Sequence, residues 1–272
     1  MAANLDLNRV LEDAVQAAKL AGEILMENFG KMSSGDIENK SEFDFVTRVD
    51  KAAEERIISF LNQRYPGFSV HAEESGRNKE VSPYQWLIDP LDGTKNYIHR
   101  FPVFCVSIAL KRQGEILAGV IFAPLFGELF TAVRGGGAFL NGRPIHVSET
   151  AELARSMIAT GFPHAAKQYL DTYLETFRAV FLNVSAVRRA GSAALDLAYT
   201  ACGRFEAFWE FKLNPWDVGA GILLVQEAGG VVTDLTGGNR HLETGDVLAG
   251  SPEVHSRLME IVGPICRGKL GW

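Results

Sequence analysis

Between residues 103 and 142 the apolar residues recur with a period of two, in four runs: VFCVSIAL, ILAGVIFAP, LFTAVR and AFLNG. Short turns at Gln113-Gly114, Phe126-Gly127 and the glycines 135 to 137 divide them. Alternation places every second side chain on one face, and short glycine-bearing turns join neighbours antiparallel, so this stretch predicts an antiparallel meander. A sheet of that kind must be covered. Val10, Leu11, Ala14, Val15, Ala18, Ala21, Ile24 and Leu25 recur at helical spacing and predict an amphipathic helix over 8–28. A second helix is expected to open at Asp50 as an acidic N-cap, run through DKAAEERIISFLNQRY and stop at Pro66-Gly67. The polar stretch KMSSGDIENKSEFD between the helices reads as a loop. FSVHAEES and YQWLID read as short strands, each running into acids.

Beyond Ser148 the period changes. Strand SMIATGF, helix 166–181, strand VSAVRR, helix AALDLAYTAC, strand FEAFWEF, helix 217–228 and strand GVVTDL follow in turn. The predicted class is α+β. An antiparallel meander sheet in an N-terminal α+β subdomain (1–150) is followed by a smaller mixed α/β sheet in a C-terminal subdomain (151–272).

A chain of 272 residues, 47% hydrophobic, can bury a core without covalent staples. Its net charge of −6 argues against a general nucleic-acid binder. It also means that an anionic substrate would need local cations to offset the protein's own field. Cys105, Cys202 and Cys266 are odd in number, match no zinc spacing and read as reduced, buried thiols. The N-terminus carries acids where a signal peptide needs basic and apolar blocks, and no run approaches the ~18 apolar residues of a membrane span. The expectation is a soluble cytoplasmic protein with no membrane partner.

WLIDPLDGTKNYIHRFP, residues 86 to 102, holds the most informative acids. Asp89 ends an apolar run, and Pro90, with no N–H to donate, is not expected to continue a central strand. Asp92 fits a turn entering a helix, where Gly93 allows backbone to approach a ligand and free N–H groups favour an anion. Carboxylates beside an anion site make chemical sense when hard cations lie between them. Glu73 and Glu74 end the strand before, Asp217 follows Trp216 at a helix start, and DFVTRVD offers Asp44 and Asp50. Asp50, Asp92 and Asp217 equally fit helix caps, so local pattern alone leaves both readings open. Other chemistries find less support. Ser107 and Ser192 have no neighbouring His–Asp arrangement, and the six histidines show no HExxH spacing. RGGGAF is a structural turn in the meander. Trp86, Trp209 and Trp216 read as core, and His99 as a structural hydrogen-bonding residue.

DPLDGTKNYIHRFPVFCVSIAL and WDVGAGILLVQEAGG resemble the two signature motifs of the inositol monophosphatase family. DFVTRVD, AEES and RRAGSAALDLAY match its other landmarks in order, over nearly the whole chain. ATGFPHAAKQYL and GSAALDLAY are similar to its bacterial inositol-1-monophosphatase branch. The resemblance implies a layered αβαβα sandwich and Mg2+-dependent hydrolysis of a small phosphate monoester, foremost inositol 1-phosphate. It also implies two or three Mg2+ per site, inhibition by Li+, and a homodimer. Carried over by motif, Glu73, Asp89, Asp92 and Asp217 hold metal, with the carbonyl of Leu91. Glu73, Asp50 and Thr94 are the catalytic candidates, the last two positioning the attacking water. Gly93 and Thr94 amides receive phosphate. Gly191, Ser192, Ala193 and Glu210 line the alcohol side, with Asp92 and Asp217 also facing substrate.

A few positions depart from the family pattern. Lys95 stands where many inositol-type members have threonine, Tyr97 replaces phenylalanine, Pro215 precedes Trp216, and the loop at Lys40 is offset by one residue. Related members act on fructose 1,6-bisphosphate, adenosine 3',5'-bisphosphate or histidinol phosphate. A partner-binding dimer with secondary catalysis is the alternative from another class.

Overall fold

The computed structural model describes residues 5–32, 34–41, 44–78, 81–162 and 164–271; the side chains of Lys40 and Asp44 lie outside the described ones. The chain opens with helix α1 (Leu7–Asn28), the hairpin β1 (Ile37–Ser41) and β2 (Asp44–Thr47), and helix α2 (Arg48–Arg64). Eight strands follow: β3 (Ser69–Ala72), β4 (Gly76–Arg77), β5 (Tyr84–Asp92), β6 (Cys105–Arg112), β7 (Glu115–Ala123), β8 (Glu128–Val133), β9 (Gly137–Leu140) and β10 (Arg143–Pro144). Helix α3 (Thr94–Ile98) interrupts them after β5. They form one sheet in the order β10-β9-β8-β7-β6-β5-β3-β4, antiparallel throughout except where β3 runs parallel to β5.

The remaining elements are β11 (Met157–Thr160), α4 (Leu170–Phe181), β12 (Ala186–Arg188), α5 (Ala193–Ala201), β13 (Ala207–Glu210), α6 (Pro215–Glu227), β14 (Val231–Thr233), α7 (His241–Thr244), β15 (Val247–Gly250) and α8 (Pro252–Cys266). Their five strands form a second, mixed sheet in the order β12-β11-β13-β15-β14.

Three cores stack these elements into the αβαβα layering. α1 and α2 cover one face of the large sheet, burying Val10, Leu25, Ile57, Leu61 and Trp86. α5 and α6 lie between the two sheets, and both helices are buried almost all round, as a central layer must be. α4 and α8 cover the outer face of the small sheet through Tyr173, Trp209, Leu258 and Val262. The alanine stripe of α1 (Ala14, Ala17, Ala18, Ala21) lets its backbone come close to the sheet. Each fully buried Leu, Ile or Phe contributes roughly 1.5–3 kcal/mol through this burial.

Local structure departs from the sequence expectation at four places. The stretch read as one polar loop contains the β1–β2 hairpin. α2 is capped by Thr47, with Asp50 at the third helical position, where its carboxylate accepts from the Thr47 N–H and completes a capping box. β5 runs through Pro90. Its register to β6 slips there, Asp89 opposing Ser107 and Asp92 opposing Cys105, so three residues face two, and the proline lies where the ladder is already broken. Finally, α7, β15 and α8 extend beyond the last predicted strand. VLAG is too short to show a period, and Gly263 and Pro264 blur the helical pattern of α8.

Candidate active site

The slip in β5 creates the site. Asp89 and Asp92 leave one strand two apart in register rather than three, so both carboxylates serve the same end of the sheet. Asp89 is 2% exposed, and its Oδ1 accepts from the Leu91 N–H at 3.0 Å. Asp92 turns one oxygen to the start of α5, where Oδ2 accepts from Ser192 Oγ and from the Ala194 N–H, both at 2.7 Å. Asp217 sits in the first turn of α6, and its Oδ2 accepts from the Asn214 N–H at 2.7 Å. Glu73 leaves the end of β3, beside β5. The turn after it is held by buried Glu54, whose two oxygens accept from the N–H groups of Glu74 and Ser75, each at 2.8 Å.

These four acids feel one another. Burial, then Glu73, Asp92 and Asp217 in turn, push the Asp89 carboxyl well above its ordinary range. Burial, with Glu73 and Asp92 next, does the same to Asp217. Burial lifts Asp92 to about 6 against the opposing hydrogen bonds from Ser192 and Ala194. Among the described residues no three His, Cys, Asp or Glu side chains already converge as the ligands of one ion. The donor chemistry nevertheless fits a hard divalent cation: crowded carboxylates, all oxygen, whose mutual repulsion a cation would relieve.

Asp50 is fully buried, and burial raises it to about 6. Its Oδ1 lies 3.0 Å from Thr94 Oγ1, and the same hydroxyl lies 3.0 Å from the Leu91 carbonyl. One hydroxyl proton cannot serve both acceptors, so Thr94 chooses between them. Gly93, with φ +96°, caps α3, and a Cβ there would stand 2.8 Å from the Val103 carbonyl. Only glycine fits both the left-handed backbone and that approach.

Thr94 and Gly93 open onto a cleft of about 200 Å3 that also takes in Asp92, Gly191, Ser192, Ala193 and Glu210. Lys95, Asn96 and Arg189 share the lining and were not marked as site residues from sequence. Asn96 Nδ2 donates to the carbonyls of Val103 at 2.7 Å and Ala190 at 2.9 Å, tying α3 to the 190–191 turn. Burial pushes Glu210 up to about 8, with Arg189 opposing and Asp92 adding to the rise. Gly161 is a further residue that the sequence reading missed. A Cβ there would lie 2.1 Å from Glu210 Oε2, so the glycine makes the space that the Glu210 carboxyl occupies.

The sequence model of the Inositol monophosphatase family matches residues 6–265. The chain is 44% identical over 254 residues to an inositol-1-monophosphatase of Mesorhizobium japonicum, covering 93% of this chain and 96% of that protein. It is 46% identical over 249 residues to a protein of Salmonella typhimurium called Nus factor SuhB, covering 91% and 93%. Among solved structures, the extragenic suppressor protein suhB of Bartonella henselae superposes with a TM-score of 0.90 at 43% identity, covering 96% of this chain and 99% of that one.

Proposed function

The chain belongs to the inositol monophosphatase family, and from that premise we propose that this phosphatase hydrolyses inositol 1-phosphate to inositol and phosphate with bound Mg2+. The observation that carries this reading is the crowding of Glu73, Asp89, Asp92 and Asp217 beside a cleft that Asp92 and Glu210 both line. Those four acids and the Leu91 carbonyl are the proposed metal holders. When bound, two or three Mg2+ would supply charge neutralisation of the phosphate, a more acidic water and stabilisation of the leaving oxygen. The chain's own residues do the rest. Asp50 and Thr94, joined by their 3.0 Å hydrogen bond, orient the attacking water, while Glu73 completes the catalytic set. The amides of Gly93 and Thr94 receive phosphate oxygens at the start of α3. Gly191, Ser192 and Ala193 shape the alcohol side. Glu210, still protonated near neutral pH, can both donate to and accept from substrate hydroxyls.

This reading is tested on substrate choice. Glu210→Ala should lower kcat/KM for inositol 1-phosphate by about 10- to 100-fold, the worth of the buried hydrogen bonds lost with the side chain. It should leave glycerol 2-phosphate within a few-fold. Gly161→Ala should reproduce that pattern, because the added methyl displaces the same carboxyl. Equal losses on both substrates would remove Glu210 from the specificity pocket. A panel including fructose 1,6-bisphosphate, adenosine 3',5'-bisphosphate and histidinol phosphate decides among the family's chemistries.

A second reading, a partner-binding dimer, draws on the outer surface of α4. Leu170, Leu174, Phe181 and neighbouring Leu182 are 47–69% exposed there, an apolar patch that a monomer would ordinarily cover. Relatives called Nus factor SuhB give the same reading a name to follow. For the homodimer, Leu174→Glu with Phe181→Glu should halve the mass measured by light scattering. An unchanged mass would place any subunit contact elsewhere.

A further inference from the structure

α6 begins at the acids and ends at a second cavity. Its later turns, at Ile222 and Gln226, form one wall of a space of about 280 Å3. Lys111 at the end of β6, Arg134 after β8, and Asn239 and His241 around the start of α7 form the others. Three of these side chains make no hydrogen bond or ion pair among the described residues. Lys111 is partly buried, and among the described residues its ammonium has neither a hydrogen-bond nor an ion-pair partner. Burial, with the nearby Arg77 adding to it, lowers its pKa. His241 is 8% exposed, its Nδ1 is buried without a partner, and its ring makes no hydrogen bond among the described residues. The Asn239 amide is exposed and likewise unengaged.

Arg134 is held in place by bonds from Nη1 to Gln226 Oε1 at 3.0 Å and from Nε to the Ile116 carbonyl at 3.1 Å, which leaves its other terminal nitrogen for a ligand. The acids of the lining do not answer these cations. Glu115 is exposed at the turn, and Glu243 is exposed and paired with Arg240 at 3.2 Å. An unmatched, half-desolvated ammonium lining a cavity is costly unless something fills the space, and the His241 ring can offer only Nε2 there, since its Nδ1 is closed off.

We propose that this cavity binds a small oxyanion, a phosphate or carboxylate group, at a site separate from the catalytic cleft. The Lys111 ammonium matches its charge, and Arg134, Asn239 and the His241 ring donate to its oxygens. Arg and Lys recognition of such groups is the strong, charge-assisted kind.

The test follows the ring proton of His241 by NMR in the full-length protein at pH 7.5. Only six histidines are present, and His241→Gln assigns the signal. Burial holds the His241 pKa below its ordinary value, so titration of the ring does not move the signal at this pH. Sodium phosphate and sodium succinate are added in separate arms at constant ionic strength. The expected result is a saturable shift in at least one arm, half-complete at or below about 1 mM. The responding arm identifies the headgroup. Lys111→Met should weaken the response about tenfold or more, and Lys111→Arg should largely keep it. Asn239→Asp, an exposed change that adds repulsion, should also weaken it, and the other five histidine signals report that each variant is folded. No saturation in either arm, or an unchanged curve in both Lys111→Met and Asn239→Asp, overturns the proposal.

Discussion

Asp89→Asn should retain less than about a tenth of the wild-type turnover at saturating Mg2+, a barrier increase of at least ~1.4 kcal/mol. Asp89 is the proposed metal holder that all three other acids crowd, so an amide there would weaken the hold on bound metal. The change is nearly isosteric, and an Asn Oδ1 can keep the 3.0 Å bond from the Leu91 N–H. Because burial and three neighbouring acids already disfavour the Asp89 charge, the neutral side chain should leave the metal-free protein at least as stable as wild type. The two readouts must therefore diverge: turnover falls while the melting temperature holds. Turnover above about a tenth of wild type would remove Asp89 from the proposed metal holders.

Metal-free protein should lose stability as pH rises from 7 to 8.5, and Mg2+ should restore it. The folded-state pKa values of Asp89, Asp217 and Glu210 all lie above their ordinary ones, with Glu210 at about 8. A raised carboxyl stabilises the fold fully below its unfolded pKa, near 4, and that contribution is lost as pH climbs through the folded value. Asp50 and Asp92, at about 6, have lost most of theirs by pH 7. Taken alone, the rise at Asp50 is worth on the order of 3 kcal/mol by that pH. Below about 6.5 the half-buried His71 and the buried His241 and His255 pull the other way, since their pKa values are lowered and they must charge on unfolding, so the comparison belongs above that point. Thermal melts in chelator at pH 7 and pH 8.5, repeated with Mg2+, check this. The increment from Mg2+ should be larger at pH 8.5. A metal-free melting temperature that rises with pH in this window would contradict the account.

The fold was largely legible because its cores are long and periodic. The meander showed as alternation over some forty residues, and α1 as eight apolar positions at helical spacing. The site was legible in a different way. Its acids sit in motifs that resemble a family, whereas their local pattern alone allowed plain caps. Asp50 and Asp217 are not the N-caps that local pattern suggested: Thr47 and Asn214 hold those places, and each aspartate completes a capping box from the third helical position. What the sequence concealed depends on long-range contact. Glu54 holds the turn after Glu73 from twenty residues away, and Gly161 makes room for a side chain on another strand. Arg189 faces Glu210 only because the parallel strands β11, β12 and β13 bring their ends together. No period or spacing encodes such meetings. Pro90 misled the strand reading because a register slip, itself a tertiary feature, tolerates the missing N–H.

The central claim is that the crowded acids work by holding Mg2+. Phosphate release from inositol 1-phosphate, measured in excess chelator and again after Mg2+ is restored, tests it most directly. The account predicts no turnover in chelator, recovery with Mg2+ and suppression of the recovered rate by Li+. Full turnover in chelator, with elemental analysis finding no divalent metal on the protein, would contradict it.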